Sequence, residues 1–273
     1  MLQRTILAML AVLLTGGIFA QSRRPAFDAF DVATIKLTPP DWDRGRYIRM
    51  EGAELVVRNN EVRRLIAAAW NLTPRAVTGG PAWLDSDHYD IIARPPDTAG
   101  EHVRPGYDEQ MTMLRALLTE RLHMAFHREP KDFSIYSLTV AKGGAKLKES
   151  AAPPDAQGEV INTVYPEKEG GFYLHLPARN ARMVQFAEML QRGVFDRPVV
   201  DNTGLTGRYD FELEWSPDDA QFNGQLARPA GSGPPTRPDF FSAIQAQLGL
   251  RLEATKGPVS TLVIDKIERP SDN

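Results

Sequence analysis

Two groups of side chains in this 273-residue sequence could do chemistry. Asp85, Asp87 and Asp90 surround His88 and Tyr89, and Asp201, Arg208 and Asp210 stand at the matching place when Tyr89-Asp90 is laid on Tyr209-Asp210, an offset of 120. Paired carboxylates can act as acid and base in hydrolysis. A hydrolytic site of that kind would draw on Asp85, Asp87, Asp201 and Arg208, brought together between the two halves of the chain. The local sequence offers a plainer use for the same residues. Asp85 and Asp201 fall among turn residues, where aspartate is favoured because it bonds nearby backbone. Asp210 alternates with Tyr209 and Phe211, which puts it on the wet face of a strand.

Other chemistries find less to work with. His123 and His127 would face each other on a helix, but Leu122, Met124 and Phe126 alternate with His123, Ala125 and His127 as in a strand. There the two imidazoles would lie roughly 13 Å apart, too far to share a zinc ion. No HExxH pattern is present, and His88, His102 and His175 occur singly. Asp41, Asp43 and Gly45 form a fragment of a calcium loop without its closing glutamate. Nucleophile-elbow and phosphate-loop patterns are missing, and the glycines at 79, 80, 204 and 207 read as turn formers. Trp70, Trp83 and Trp215 could line a groove for sugar or peptide, yet Trp215 continues a buried alternation. The sequence therefore assigns no catalytic, cofactor-binding or metal residue and implies no cofactor.

Composition narrows the setting. The chain starts MLQRTILAMLAVLLTGGIFA, with Arg4 ahead of an apolar run and a small-residue end at Ala20. That is the form of an export signal cleaved near Ala20, so a periplasmic or secreted protein is expected. Retention of the segment as an anchor is the alternative. Removing residues 1–20 leaves 253 residues with net charge −4, because Arg4 is the one charged residue lost from a total of −3. A net negative charge argues against nucleic acid as a partner, and no later run has the ~20 apolar residues of a membrane span. With no cysteine, thiol chemistry and disulfides are excluded and folding rests on the core.

The elements that would position these residues come in two rounds. After a first strand within residues 27–37, residues 54–58 read as a strand, with Asn59 or Asn60 able to cap the helix that follows. That helix carries Val62, Leu65, Ile66 and Ala69 on one stripe. A Tyr-Asp strand follows, then a second helix with Met111, Leu114, Leu117, Leu118 and Leu122. A hairpin closes the unit, turning at Glu129–Asp132 and returning along Phe133–Val140. Val62, Leu65, Ile66 and Ala69 fall on Met183, Phe186, Ala187 and Leu190 at an offset of 121, and Leu114 to Phe126 fall on Phe240 to Leu252 at 126. The expectation is an α+β protein made of two copies of a strand-helix-strand-helix-hairpin unit, helices packed on mostly antiparallel sheet. Residues 27–144 hold the first copy with its preceding strand, 145–170 a polar connection and 171–273 the second copy.

The segments FDVATIKL, VTGGPAWLDSDHYDI, MLRALLTERLHMAFHREPKDFSIYSLTVAKGGAKL, RPVVDNTGLTGRYDFELEW and QLGLRLEATKGPVSTLVIDKIERPSDN carry a resemblance over nearly all of the chain after residue 20. They resemble an uncharacterised family of exported proteins, a domain of unknown function expanded in soil bacteria such as Acidobacteria. The resemblance implies an extracytoplasmic role in sensing or binding. The helix-plus-hairpin part is also similar to small periplasmic docking modules of secretins and TonB-dependent receptors. Two functions are carried forward: a binding module for an envelope or extracellular protein or a small ligand, with Asp210, Glu212 and Glu214 as a docking face, and the acidic hydrolase between the copies. Oligomeric state is left open.

Overall fold

The computed structural model describes residues 27–52, 54–97, 105–153, 156–224, 226 and 228–271; the expected export segment, residues 1–20, lies outside them. In chain order the strands and helices begin with β1 (Val32–Leu37), β2 (Tyr47–Glu51), β3 (Glu54–Glu61), α1 (Val62–Ala69), β4 (Val77–Gly79), α2 (Trp83–Ser86), β5 (His88–Arg94), α3 (Tyr107–Arg121) and β6 (Ala125–Val140). They continue with β7 (Lys148–Glu149), β8 (Glu159–Val160), β9 (Thr163–Pro166), β10 (Phe172–Ala181), α4 (Met183–Gly193), β11 (Val199–Asp201), β12 (Tyr209–Trp215), α5 (Phe240–Ala243) and β13 (Leu250–Lys266). The architecture is α+β, and the sheets are mostly antiparallel.

Two sheets each support a helical layer. The first has the order β1-β5-β3-β2. Ile35, Leu55, Val57, Tyr89, Ile91 and Ala93 turn to one face and bury against Val62, Leu65, Ile66 and Ala69 of α1 and Leu114 and Leu118 of α3. The predicted apolar stripe of α1 is thus the stripe that faces the core. The second sheet has the order β7-β12-β10-β8, with β9 also on β10. Its strand β12 alternates as read: Tyr209, Phe211, Leu213 and Trp215 are buried, while Asp210, Glu212 and Glu214 are not. Phe186 and Leu190 of α4 and Phe240 and Ile244 close this second core.

The third sheet, β11-β6-β13-β4, joins the two cores and corrects the hairpin expectation. β6 and β13 do not fold back on themselves. Each is a single long strand, and they pair antiparallel from Leu250↔Val140 to Ile264↔Phe126. Glu129-Pro130-Lys131-Asp132, read as a turn, lies in the middle of β6. It contains neither glycine nor asparagine, the residues that supply the positive φ of tight hairpin turns. Pro130 is tolerated because residues of its parity point their backbone away from β13, as Tyr136 shows by donating its N–H outward to Pro198 O at 2.8 Å. Pro258, opposite Asp132, has the same parity in the register, so neither proline removes a rung between the two strands.

The opening of the hairpins exchanges strand halves between cores. Leu138, at the far end of β6, packs with Leu250, Leu252, Phe186 and Trp215. Leu262 and Ile264, at the far end of β13, pack with Leu65, Leu118 and Met124. Two smaller corrections follow. Residues 145–170, expected as a solvated connection, contain β7, β8 and β9. The residue preceding α1 is Glu61, without a side-chain cap; Asn60 instead donates to Tyr47 O at 3.0 Å and Arg58 O at 2.7 Å.

Candidate functional site

The Tyr-Asp aspartates serve the backbone. Between β3 and β5 the register slips at Asn59, which takes a left-handed φ of 53° and presents its N–H to Asp90 Oδ1 at 3.0 Å. Asparagine tolerates that region better than most residues. Asp90 also accepts from Thr38 Oγ1 and Arg58 Nη1, each at 2.8 Å. Burial works against its charge, but the Asn59 N–H, the Thr38 hydroxyl and the Arg58 guanidinium together hold its carboxyl below the ordinary range. Between β10 and β12 the same slip occurs at Asn180, φ 48°, whose N–H donates to Asp210 Oδ1 at 2.8 Å. That bond and the Ser150 hydroxyl hold Asp210 low as well.

The remaining acidic candidates are also engaged, and at separate places. Asp85 takes a two-pronged contact from Arg63, at 2.6 and 2.9 Å, while the same guanidinium donates to Val77 O and Gly79 O. Asp87 pairs with Arg269 at 3.0 Å. Asp201 accepts the N–H and hydroxyl of Thr203, and Arg208 donates to Asn180 O at 3.1 Å. Asp201 pairs with Leu138 on β6, whereas Gly79, beside Asp85, pairs with Ile264 opposite Phe126. Twelve strand residues separate those two points, roughly 40 Å. The four residues of the hydrolase reading therefore do not converge.

The expected acidic docking face is neutralised. Glu212 is paired with both His175 and Arg179, and Glu214 with Arg237 at 2.6 Å. His127 pairs with Asp265 at 2.8 Å and His123, just before β6, with Glu268 at 3.5 Å. No group of three or more His, Asp or Glu side chains able to hold a metal ion occurs among the described residues. Trp215 is fully buried, its indole donating to Gln221 Oε1 at 2.9 Å. Trp70 packs edge-on against Phe126, and Trp83 against Tyr89, so these rings are part of the packing rather than a groove.

One cleft is lined largely by polar and charged side chains. It has a volume of about 440 Å³ and lies where the start of α3 meets α4 and β8, a size typical of small-molecule sites. Tyr107 and Asp108 come from α3, Gln185, Glu188 and Arg192 from α4, and Glu159 to Ile161 form the third wall. The Gly106 N–H donates to Glu109 Oε2 at 2.7 Å and fixes the start of α3. Gln185 accepts the Arg182 N–H at 3.0 Å and donates to Asp108 Oδ2 at 3.0 Å, bridging the two helices.

Arg192 lays its guanidinium over the Tyr107 ring, 3.9 Å from the centroid. Stacking orients the cation without using its N–H groups, and among the described residues Arg192 makes no hydrogen bond or ion pair. Glu188 sits one turn before it on α4. Burial pushes its carboxyl above the ordinary range; Asp108 adds to the rise, while Asn71, Arg192 and Arg115 act against it. Burial also raises the Tyr107 phenol, although more than a third of that residue remains exposed. Such a cavity, holding a preoriented cation and a carboxyl kept partly from water, is equipped to recognise a ligand. The available signal was the polar spacing Gln185, Glu188, Arg192, which at i, i+3 and i+7 forms one stripe of α4.

No helix among the described residues is long and apolar enough to cross a membrane. Comparison with curated proteins and with solved structures gave no match. One family model, described as protein of unknown function (DUF3738), matches residues 63–267, from the second residue of α1 through β13, and the chain belongs to that family.

Proposed function

We propose that this protein is an exported binding module, built from two copies of one α+β unit, whose ligand enters the cleft between α3 and α4. The observation that carries the binding reading is the free, ring-stacked Arg192 facing Glu188 in a cavity of about 440 Å³. Export rests on the leader-like residues 1–20, with cleavage near Ala20 delivering the chain to the periplasm or the medium.

Support for two copies comes from pairing registers. Val57↔Ile91 and Asn60↔Tyr89 flank the bulge in the first sheet; Ala178↔Phe211 and Ala181↔Tyr209 flank it in the second. These are the same positions at offsets of 121 and 120. Lys36↔Asp90 of β1 and β5 corresponds to Lys148↔Asp210 of β7 and β12, and Tyr47↔Arg58 corresponds to Glu159↔Arg179. On this reading the second copy begins near β7, earlier than residue 171, and the stretch from 145 is part of the unit. At the offset of 126, Asp132 falls on Pro258, its own partner in the ribbon. An approximate two-fold axis through that pair would exchange the copies.

The test is ligand-dependent stabilisation of the chain from residue 21. A ligand present at about 100 times its dissociation constant should add about 2.7 kcal/mol to unfolding stability. Arg192→Met and Tyr107→Ala should abolish that gain while unfolding cooperatively in the absence of ligand. A ligand whose stabilisation survives both substitutions would place binding elsewhere, and failure of any metabolite or peptide library to stabilise the chain would overturn the binding reading.

A further inference from the structure

The chemistry of the cleft defines the class of ligand it takes. Resting on the binding reading above, we infer that the site holds a small zwitterion of the amino-acid or short-peptide class, its carboxylate on Arg192 and its ammonium between Glu188 and Asp108. Three observations lead there. The Arg192 guanidinium lies over the Tyr107 ring, 3.9 Å from its centroid, and makes no hydrogen bond among the described residues, and a planar fork of donors matches a carboxylate in two-pronged fashion. Glu188 and Asp108 face the same cavity, and Asp108 keeps one oxygen beyond that bonded to Gln185. A ligand carrying negative charge alone would meet these two carboxyls, and a ligand carrying positive charge alone would meet Arg192. A molecule with both ends charged satisfies each wall.

The third observation comes from within the chain. At the offset of 121 that matches α4 to α1, Glu188 corresponds to Ala67, Arg192 to Asn71 and Gln185 to Arg64. Ala67 is 2 % exposed in the first core. The position that holds Glu188 in α4 is thus a buried alanine in α1, while Asn71, which matches Arg192, lies two residues beyond the end of α1 in a left-handed turn. Of the two, Glu188 also meets the Asn71 side chain, whereas Arg192 makes no hydrogen bond or ion pair among the described residues. The two helices that follow also differ. α3 runs fifteen residues, whereas α5 begins at Phe240, the position matching Leu114, so the first two turns of α3, which bring Tyr107 and Asp108 to the cleft, have no helical counterpart. Both walls of the site are thus features of one side of the approximate two-fold, as a single asymmetric ligand requires.

The experiment is calorimetric titration of the chain from residue 21 with four free dipeptides bearing small, apolar, acidic and basic side chains, each beside its N-acetyl and C-amide derivative. At least one free dipeptide should bind, and blocking either end should weaken it about tenfold or more, the loss of one charge-assisted contact. Arg192→Met should weaken the free dipeptide to the level of its amide and leave the amide unchanged. Glu188→Gln should do the same for the acetylated form. Arg192→Lys, which keeps the charge but loses the fork, should fall between. Equal affinity for free and end-blocked forms, or no binding of any free dipeptide or of the four corresponding free amino acids at 10 mM, would overturn the assignment. Binding of a ligand without a zwitterionic head, lost in Tyr107→Ala, would overturn the ligand class while leaving the cleft as a binding site.

Discussion

Asp90 holds a backbone that cannot turn elsewhere, and its removal should be costly out of proportion to its surface. In Asp90→Ala the Asn59 N–H, fixed in a left-handed bulge, loses its acceptor, as do the Thr38 hydroxyl and the Arg58 guanidinium. Stranding one buried N–H costs about 1–3 kcal/mol. Arg58 keeps part of its surface in water, 27 % of the side chain, so its lost pairing adds about 1 kcal/mol or less. The expected loss is about 3 kcal/mol, which for a chain of this length lowers the melting temperature by about 6–12 °C. Asp210→Ala is the internal control. The same backbone bond is lost from Asn180, but Asp210 is more open, water replaces its contacts, and about 1 kcal/mol is expected. Urea unfolding at neutral pH measures both. Because Asp90 is held below its ordinary range when folded, its stabilisation is complete above the aspartate range and is lost as pH falls through the folded value. The gap between wild type and Asp90→Ala should therefore narrow on acidification. Equal losses for the two substitutions, or a loss below about 1 kcal/mol at Asp90, would refute the account of the bulge as a fixed donor.

Other perturbations reach different parts of the fold. Leu138→Ala should cost about 2–5 kcal/mol, and because Leu138 packs with Phe186 and Trp215, native-state hydrogen exchange should show protection lost first in β10 and α4 rather than in β3 and α1. Glu188 is pushed upward, so the folded protein keeps that proton to higher pH than the unfolded chain. Wild-type stability should fall as pH rises from the ordinary glutamate range through the raised value, and urea midpoints of Glu188→Gln should lack that decline. Gly171 has a φ of 83° and a Cβ there would stand 2.5 Å from Arg228 Nη2. Arg228 ties Glu167 at 2.8 Å to Gly233 O at 2.8 Å, so Gly171→Ala should cost about 1–3 kcal/mol by thermal unfolding and loosen residues 228–238 to proteolysis.

What could be read from the sequence was whatever one short window decides. The stripe of α1 and the alternation of β12 are set by local periodicity, and both stand in the structure as read. The ribbon was not legible, because Leu122–Phe126 and Phe133–Val140 have the same pattern whether they pair with each other or with residues more than a hundred positions away. Pro130 looked like a turn marker because its harmlessness depends on which edge of β6 it faces, a fact of register. β7 to β9 were missed since strands of two to four residues on an edge carry too few buried positions to leave a pattern. The aspartates were visible, but their partners were not: a left-handed Asn59 and a distant Arg63 turn apparent chemistry into architecture.

The long ribbon also makes the order of synthesis matter. Leu262 and Ile264 complete the core around α1 and α3, so that core waits for residues synthesised well over a hundred positions later. Until those residues arrive, Leu65, Leu118 and Met124 have an open flank, and the contacts that close it span more than a hundred residues, which slows folding and favours aggregation of the incomplete chain. A stop falling between Leu252 and Leu262 would keep the buried residues of the second core and remove Leu262 and Ile264 from the first. Damage to the far end of β13 is felt in the core beneath the first sheet.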